Sequence, residues 1–286
     1  MDDRHSEPER AALVVGELEI AKKEAANALR QTDAAISEIR RWLSSADYKL
    51  RPSVLMKLHQ IALDMLSDYA GRYRPAGVMI SGSNHVPPPA IEVAGLIEEF
   101  CDYINEGWQS KNSIHLAAYA LWRLNWIHAF DDGNGCTSRI VSYIILCAHS
   151  GHLIPGNLTI PEQISRNKQP YYRALEIADE KFARNDMDLS EMENLLKGLL
   201  ANQLLKFHQM ASGDQNPLTS DIKGLAVDIG INKRVVQRGD IIQAKTLSRN
   251  WMSAGLVWVE AHPALVTAIA TLAVAIAGGL WAVFKG

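Results

Sequence analysis

Between two runs whose apolar residues recur at helical spacing, 113–127 and 136–150, the chain crowds a histidine, two acids, a glycine turn and an arginine into I-HAFDDGNGCTSR-I. One helix must stop at Trp126, the chain must turn, and a second helix must restart near Cys136. Each residue type in the turn has a physical use. Gly133-Asn134-Gly135 can take positive φ and expose successive backbone N–H groups. At a helix N-terminus, where the dipole also favours an anion, such donors make a phosphate nest. Asp132 suits Mg²⁺, a hard ion held through one or two carboxylates and phosphate oxygens. Arg139, one turn into the second helix, can neutralise phosphate charge. Histidine titrates near neutrality, which suits His128 to general-base work. Phe130 reads as a core anchor for the loop. An ordinary interhelical turn explains Gly-Asn-Gly alone, but not the whole string.

The rest of the soluble part is also patterned for helices. Residues 9–43 are dense in Ala, Leu, Glu, Lys and Arg and predict one or two helices. Pro52 opens another over 53–69, with Val54, Leu55, Leu58, Ile61, Ala62, Met65 and Leu66 as its buried stripe. Runs 91–107, 162–182 and 189–210 complete the helical set. Residues 71–89 differ, being rich in glycine and proline around the β-prone Val78-Met79-Ile80, and predict a small hairpin with a Pro-rich exit. The expected organisation is an N-terminal helical extension over 1–50, a main domain over 51–210 and a short appendix over 213–260. Lys and Arg total 29 against 32 Asp and Glu, so no basic excess points to nucleic acid as a partner. The three cysteines are spread and odd in number, which argues against a disulfide framework and for a reducing compartment.

Residues 264–284 (ALVTAIATLAVAIAGGLWAVF) carry no charge. At about 1.5 Å per residue they would span roughly 30 Å, the hydrocarbon thickness of a bilayer. Pro263 can open the helix, and Trp258 and Trp281 sit near its ends, where indoles favour the interface. The acidic, polar start of the chain does not read as a signal peptide. The expectation is one transmembrane tail anchor with the body facing the cytoplasm. Lys233, Arg234, Arg238, Lys245 and Arg249 against lone Lys285 lean the same way. A buried terminal helix is the alternative.

The turn resembles the signature of the Fic (Fic/Doc) family, His-x-Phe-x-Asp/Glu-Gly-Asn-Gly-Arg-x-x-Arg, through His128, Phe130, Asp132, Gly133, Asn134, Gly135 and Arg139. The likeness extends over roughly residues 50–200. Ser53 to Leu58-His59 resembles the family's first core helix, 78–87 stands where the family has its flap, and Tyr171-Tyr172-x-x-Leu175 resembles an element beside the nucleotide base. The resemblance implies an all-α fold: a Fic-type helical core with a small β-hairpin flap, here followed by the transmembrane helix. It implies a protein adenylyltransferase that moves AMP from ATP, or a group from another nucleotide donor, to a Ser, Thr or Tyr hydroxyl. His128 would take the hydroxyl proton and Asp132 would hold Mg²⁺. Gly133, Asn134 and Gly135 would cradle the transferred phosphate. Position 136 and Arg139 would face the polyphosphate, with Tyr171 and Tyr172 at the base. The target protein would add a strand to the flap, and a homodimer is left open.

One position departs from the signature. Its first arginine is Cys136 here, and a neutral thiol makes no charge-assisted phosphate bond. A slower enzyme, a different donor and a site that binds without turnover all remain open, the last making the chain a membrane-anchored scaffold. A nucleophilic Cys136 is a further option. Many relatives also carry an inhibitory Ser/Thr-x-x-x-Glu-Gly/Asn helix. The nearest string outside the core helices, Leu189-x-x-x-Glu193-Asn194, lacks the hydroxyl. Cys147, His149 and His152 lack a fourth ligand for zinc, and 225–238 only faintly suggests a helix-turn-helix.

Overall fold

Long straight-chain residues and alanine favour unbroken helix, and in the computed structural model, which describes residues 16–45 and 47–212, the N-terminal stretch is one helix, α1 (Glu17–Ser44). Its inner face is partly amide. Asn27 Nδ2 donates to Ala62 O at 3.0 Å and Asp64 O at 2.8 Å, and Gln31 Nε2 to Leu58 O at 3.1 Å. Asn27 thus meets carbonyls at and just past the end of α2 (Pro52–Ala62), which have no partner inside the helix, and Gln31 adds a bond to its last turn but one. That is why α2 ends earlier than the 53–69 expected. Lys23 and Arg30 hold the Asp64 carboxylate, Met65 turns left-handed at φ 61, and its side chain is exposed rather than buried.

A single 3₁₀ turn, Ala90–Glu92, leads into α3 (Val93–Gly107), followed by α4 (Ser113–Ile127) and α5 (Asn134–His149). Every residue of α4 from Leu116 to Leu124 is buried, and α5 is buried from Thr137 to Ala148 except at Arg139. Helices apolar on all sides belong at the centre of a core. Ala117, Ala118 and Ala120 let the pair approach closely, and Ser142 Oγ donates to Ala117 O at 2.8 Å. α1 and α2 pack on α5, and α3 and α7 (Gln169–Phe182) pack on α4. Trp122 Nε1 donates to Asp179 Oδ1 at 2.9 Å and ties α4 to α7.

The helix expected over 162–182 is two, α6 (Ile160–Arg166) and α7. Asn167 is extended at φ −143, and Pro170, without an N–H, cannot continue a helix from Arg166. The last described helix is α8 (Ser190–Ser212). The described residues divide into two compact units, one with bounds 16–153 and 168–197, the other with bounds 154–167 and 198–212. In the second, Gln203 is fully buried, accepting from Ile160 N at 3.1 Å and donating to Pro155 O at 3.1 Å, so a glutamine of α8 caps α6.

Two expectations are corrected. No strand occurs among the described residues, and the flap hairpin at 78–87 is an irregular loop with an isolated bridge residue at Ile80. Its exit, Pro87-Pro88-Pro89, lacks the N–H groups a ladder needs, and side chains hold the loop instead. Among the described residues no helix is long and apolar enough to cross a membrane. The two long helices are charged along their length, with Lys22, Lys23, Glu24 and Arg30 on α1 and Glu191, Glu193, Lys197 and Lys206 on α8. The transmembrane helix, and with it the membrane-anchored, cytoplasm-facing location, has no counterpart among the described residues. Residues 264–284 and the 213–260 appendix lie outside the described residues.

Candidate active site

The loop between α4 and α5 is held from below by His59 of α2. The imidazole stacks on Phe130 with centroids 3.8 Å apart and 7° between planes. Gly71 N donates to His59 Nδ1 at 2.9 Å. The proton is therefore on Nε2, which lies 2.9 Å from Asp132 O and donates to it. Burial pushes His59 down to about 4, in keeping with a neutral ring. Leu63 and the same ring crowd Gly133. Gly133 has φ 71, and a Cβ there would stand 2.5 Å from Leu63 Cδ2 and 3.2 Å from His59 Cδ2.

Asn134 closes the loop. Its Oδ1 accepts from Phe130 N at 2.9 Å and its Nδ2 donates to Phe130 O at 2.7 Å. The side chain is buried, so it staples the loop and does not reach outward. α5 begins at Asn134 with no side-chain cap, and its first internal bond is Thr137 N to Gly133 O at 3.1 Å. The N–H groups of Asn134, Gly135 and Cys136 therefore have no acceptor inside the helix. Arg139 Nη1 lies 3.1 Å from where a Gly135 Cβ would be, so the guanidinium lies over the start of α5. Asp132 is exposed, and its Oδ1 accepts from Gly133 N at 2.6 Å.

His128 sits on the C-cap of α4 in the left-handed region, φ 51 and ψ 55. It is largely buried, and its Nδ1 lies 3.3 Å from Asn125 O. Cys136 turns back into the first turn of α5, its Sγ donating to Gly133 O at 3.0 Å. Burial pushes this thiol up, which disfavours the thiolate a nucleophile needs.

The loop thus brings together His128, Asp132, Gly133, Gly135 and Arg139, with Asn134 beneath them. Tyr171 is placed otherwise than expected: its ring is buried, and its Oη lies 2.6 Å from the Asn125 amide, which also bonds Ser138 Oγ at 2.7 Å. Tyr172, half-buried beside it, is the more open of the two rings. Glu193 lies with His115 Nδ1 at 2.9 Å, at the other end of α4 from His128. No group of three or more His, Cys, Asp or Glu that could hold a metal ion occurs among the described residues. A lone exposed Asp132 carboxylate does fit the mode in which Mg²⁺ takes most of its ligands from water and phosphate. His59, Arg74 and Asn125 shape the site but were not assigned to it from the sequence. His59 was marked in the sequence as part of the Ser53 to Leu58-His59 resemblance, but not as the floor of the loop.

The model of the Fic/DOC family matches residues 49–146. The protein adenylyltransferase Fic of Drosophila willistoni is 32% identical over 128 residues, 44% of this chain and 24% of that one. Its counterpart in Drosophila yakuba is 34% identical over 128 residues, again 44% and 24%. The chain spans about a quarter of the length of these curated relatives. A Fic domain containing signaling protein from Bacteroides thetaiotaomicron superposes with a TM-score of 0.55 at 18% identity, over 66% of this chain and 74% of that one. Fic-1 from C. elegans superposes with a TM-score of 0.51 at 22% identity, over 67% and 52%. The family match starts just ahead of α2 and runs into α5, taking in every element that builds the loop, so residues 49–146 match the Fic/DOC family domain.

Proposed function

We propose that the chain is a nucleotide-dependent protein-modifying transferase that moves AMP from ATP to a hydroxyl side chain of a target protein. The observation that carries this reading is the start of α5, where N–H groups without helical acceptors meet Arg139 beside a buried histidine. Fixed donors of this kind stabilise charge that grows on a phosphoryl group, without reorganising. A proton on Nδ1, facing Asn125 O, makes Nε2 of His128 the basic nitrogen. That nitrogen takes the target's hydroxyl proton as the oxygen bonds to the α-phosphorus and the bond to pyrophosphate breaks. The amides of Gly133, Asn134 and Gly135 receive the transferred phosphate, and Arg139 binds the departing polyphosphate. Asp132 would hold Mg²⁺, which supplies charge neutralisation on the phosphates when bound. Tyr172 flanks the base, and the target segment lies along loop 78–87, where Met79 and Val86 are exposed.

A second reading, nucleotide binding without turnover, is favoured by Cys136, whose thiol is committed to Gly133 O and brings no charge. Incubation with labelled ATP and other nucleotides in a lysate separates the two. Label should enter protein with the parent. With His128→Ala it should fall by about 10²–10⁴-fold, while nucleotide affinity by calorimetry stays within about twofold. Affinity without label in either protein would favour the second reading, and equal labelling by both would remove His128 from its role.

A further inference from the structure

Arg74 is almost wholly buried, and each of its side-chain nitrogens meets a backbone carbonyl. Nε donates to His128 O at 2.7 Å, Nη1 to Ala76 O at 2.8 Å and Nη2 to Pro88 O. Its own backbone N–H donates to Ala129 O at 3.0 Å. The acceptors belong to two segments: the two feet of loop 76–88, and the left-handed turn that ends α4. His85 adds a third tie, its Nε2 donating to Trp126 O at 2.7 Å. The last carbonyls of a helix have no partner inside it. Here side chains at and just before the loop supply the missing donors at Trp126 and His128. The clamp also explains how His128 keeps φ 51, a conformation that residues with a Cβ seldom hold. Only a planar fork with fixed donor directions reaches three carbonyls at once, and a lysine ammonium has no such geometry.

We propose that Arg74 is a positioning residue for His128, one buried guanidinium that fixes the histidine's backbone and both feet of loop 76–88 as a single unit. A protein segment lying on the loop and the nitrogen that takes its proton are thereby held in register. The proposal rests on the transferase reading for its catalytic consequence, though not for the mechanical coupling itself.

The test uses Arg74→Lys and Arg74→Gln in the full chain, with two readouts. Amide hydrogen exchange should quicken by about tenfold or more in 76–86 and in 128–130 together, with the middles of α4 and α5 unchanged. Transfer should lose about 30- to 100-fold in kcat, the scale of a misplacement of roughly 1 Å, with KM for nucleotide within about twofold because the α5 amides are untouched. Exchange that quickens in only one segment, or in neither, overturns the coupling. A nucleotide KM that rises as kcat falls, or parental kcat in both variants, overturns the positioning role. If Arg74→Gln fails to fold, the lysine variant decides. If the parent transfers nothing, the transferase reading fails, and the exchange measurement still decides the coupling.

Discussion

At its N-terminus α4 is capped by the protein itself, whereas α5 starts on a glycine with no side-chain cap. Asn112 accepts from His115 N at 2.8 Å, and the His115 ring lies between Tyr103 Oη at 2.8 Å and Glu193 Oε1 at 2.9 Å. The cap and the ring there face other protein groups, and the result is stability. At α5 the packing of Leu63 and His59 crowds a side chain at Gly133, Asp132 accepts from Gly133 N, and the N–H groups of the first turn have no acceptor within the helix. At α5 the chain forgoes a cap worth about 1 kcal/mol, and the donors so left are the ones the proposed nucleotide site uses.

Changes at the two ends should therefore separate stability from binding. The largest effect is expected for Gly133→Ala, which combines a strained φ with a Cβ 2.5 Å from Leu63 Cδ2. Roughly 2–4 kcal/mol should be lost in urea unfolding, together with nucleotide binding. Unchanged stability would mean that the loop is not held as described. Next is the floor of the open end. His59 stays neutral down to about 4 in the folded chain against 6.5 in the unfolded one, so the unfolded chain takes up the proton first as pH falls. Its contribution is complete above about 6.5 and is lost between there and 4, by about 3 kcal/mol in all. Urea midpoints from pH 7 to 4 should show that slope in the parent, and His59→Gln should flatten it.

Cys136→Arg asks whether the open end lacks charge. It should tighten ATP binding by about 10-fold or more, the scale of one charge-assisted bond, and a loss of affinity would favour a different donor. The smallest effect belongs to the capped end. Asn112→Ala should cost about 1 kcal/mol of stability and leave nucleotide affinity unchanged by calorimetry, and any loss of affinity there would undo the contrast between the two termini.

The central helices were legible because their signals are local. The apolar run 113–127 is α4 as observed, and the signature residues are contiguous, so one loop carries them all. What escaped was tertiary. His59 and Arg74 reach the loop from 73 and 54 positions away, and nothing in their own surroundings says which loop they hold. Tyr171 was visible as a residue but not as a direction, since the face of α7 that carries it turns into the core. The hairpin failed because Val78-Met79-Ile80 has β propensity but no partner able to pair with it across three successive prolines. Propensity of that kind describes a surface to be packed, not a strand in isolation.

The staple between Asn134 and Phe130 also bears on how long the protein lasts as a chemical. Asn134-Gly135 is the dipeptide most open to deamidation, in which the glycine nitrogen attacks the asparagine side-chain carbon and ammonia leaves. In the fold both polar ends of that side chain are engaged by Phe130, and the carboxylate left by hydrolysis would set an acceptor against the Phe130 carbonyl. The native loop thus shelters its most perishable bond, and each excursion to the unfolded chain exposes it. Ageing of the site should follow the time spent unfolded rather than time in solution, so that a variant that loosens the loop also shortens the life of its own motif.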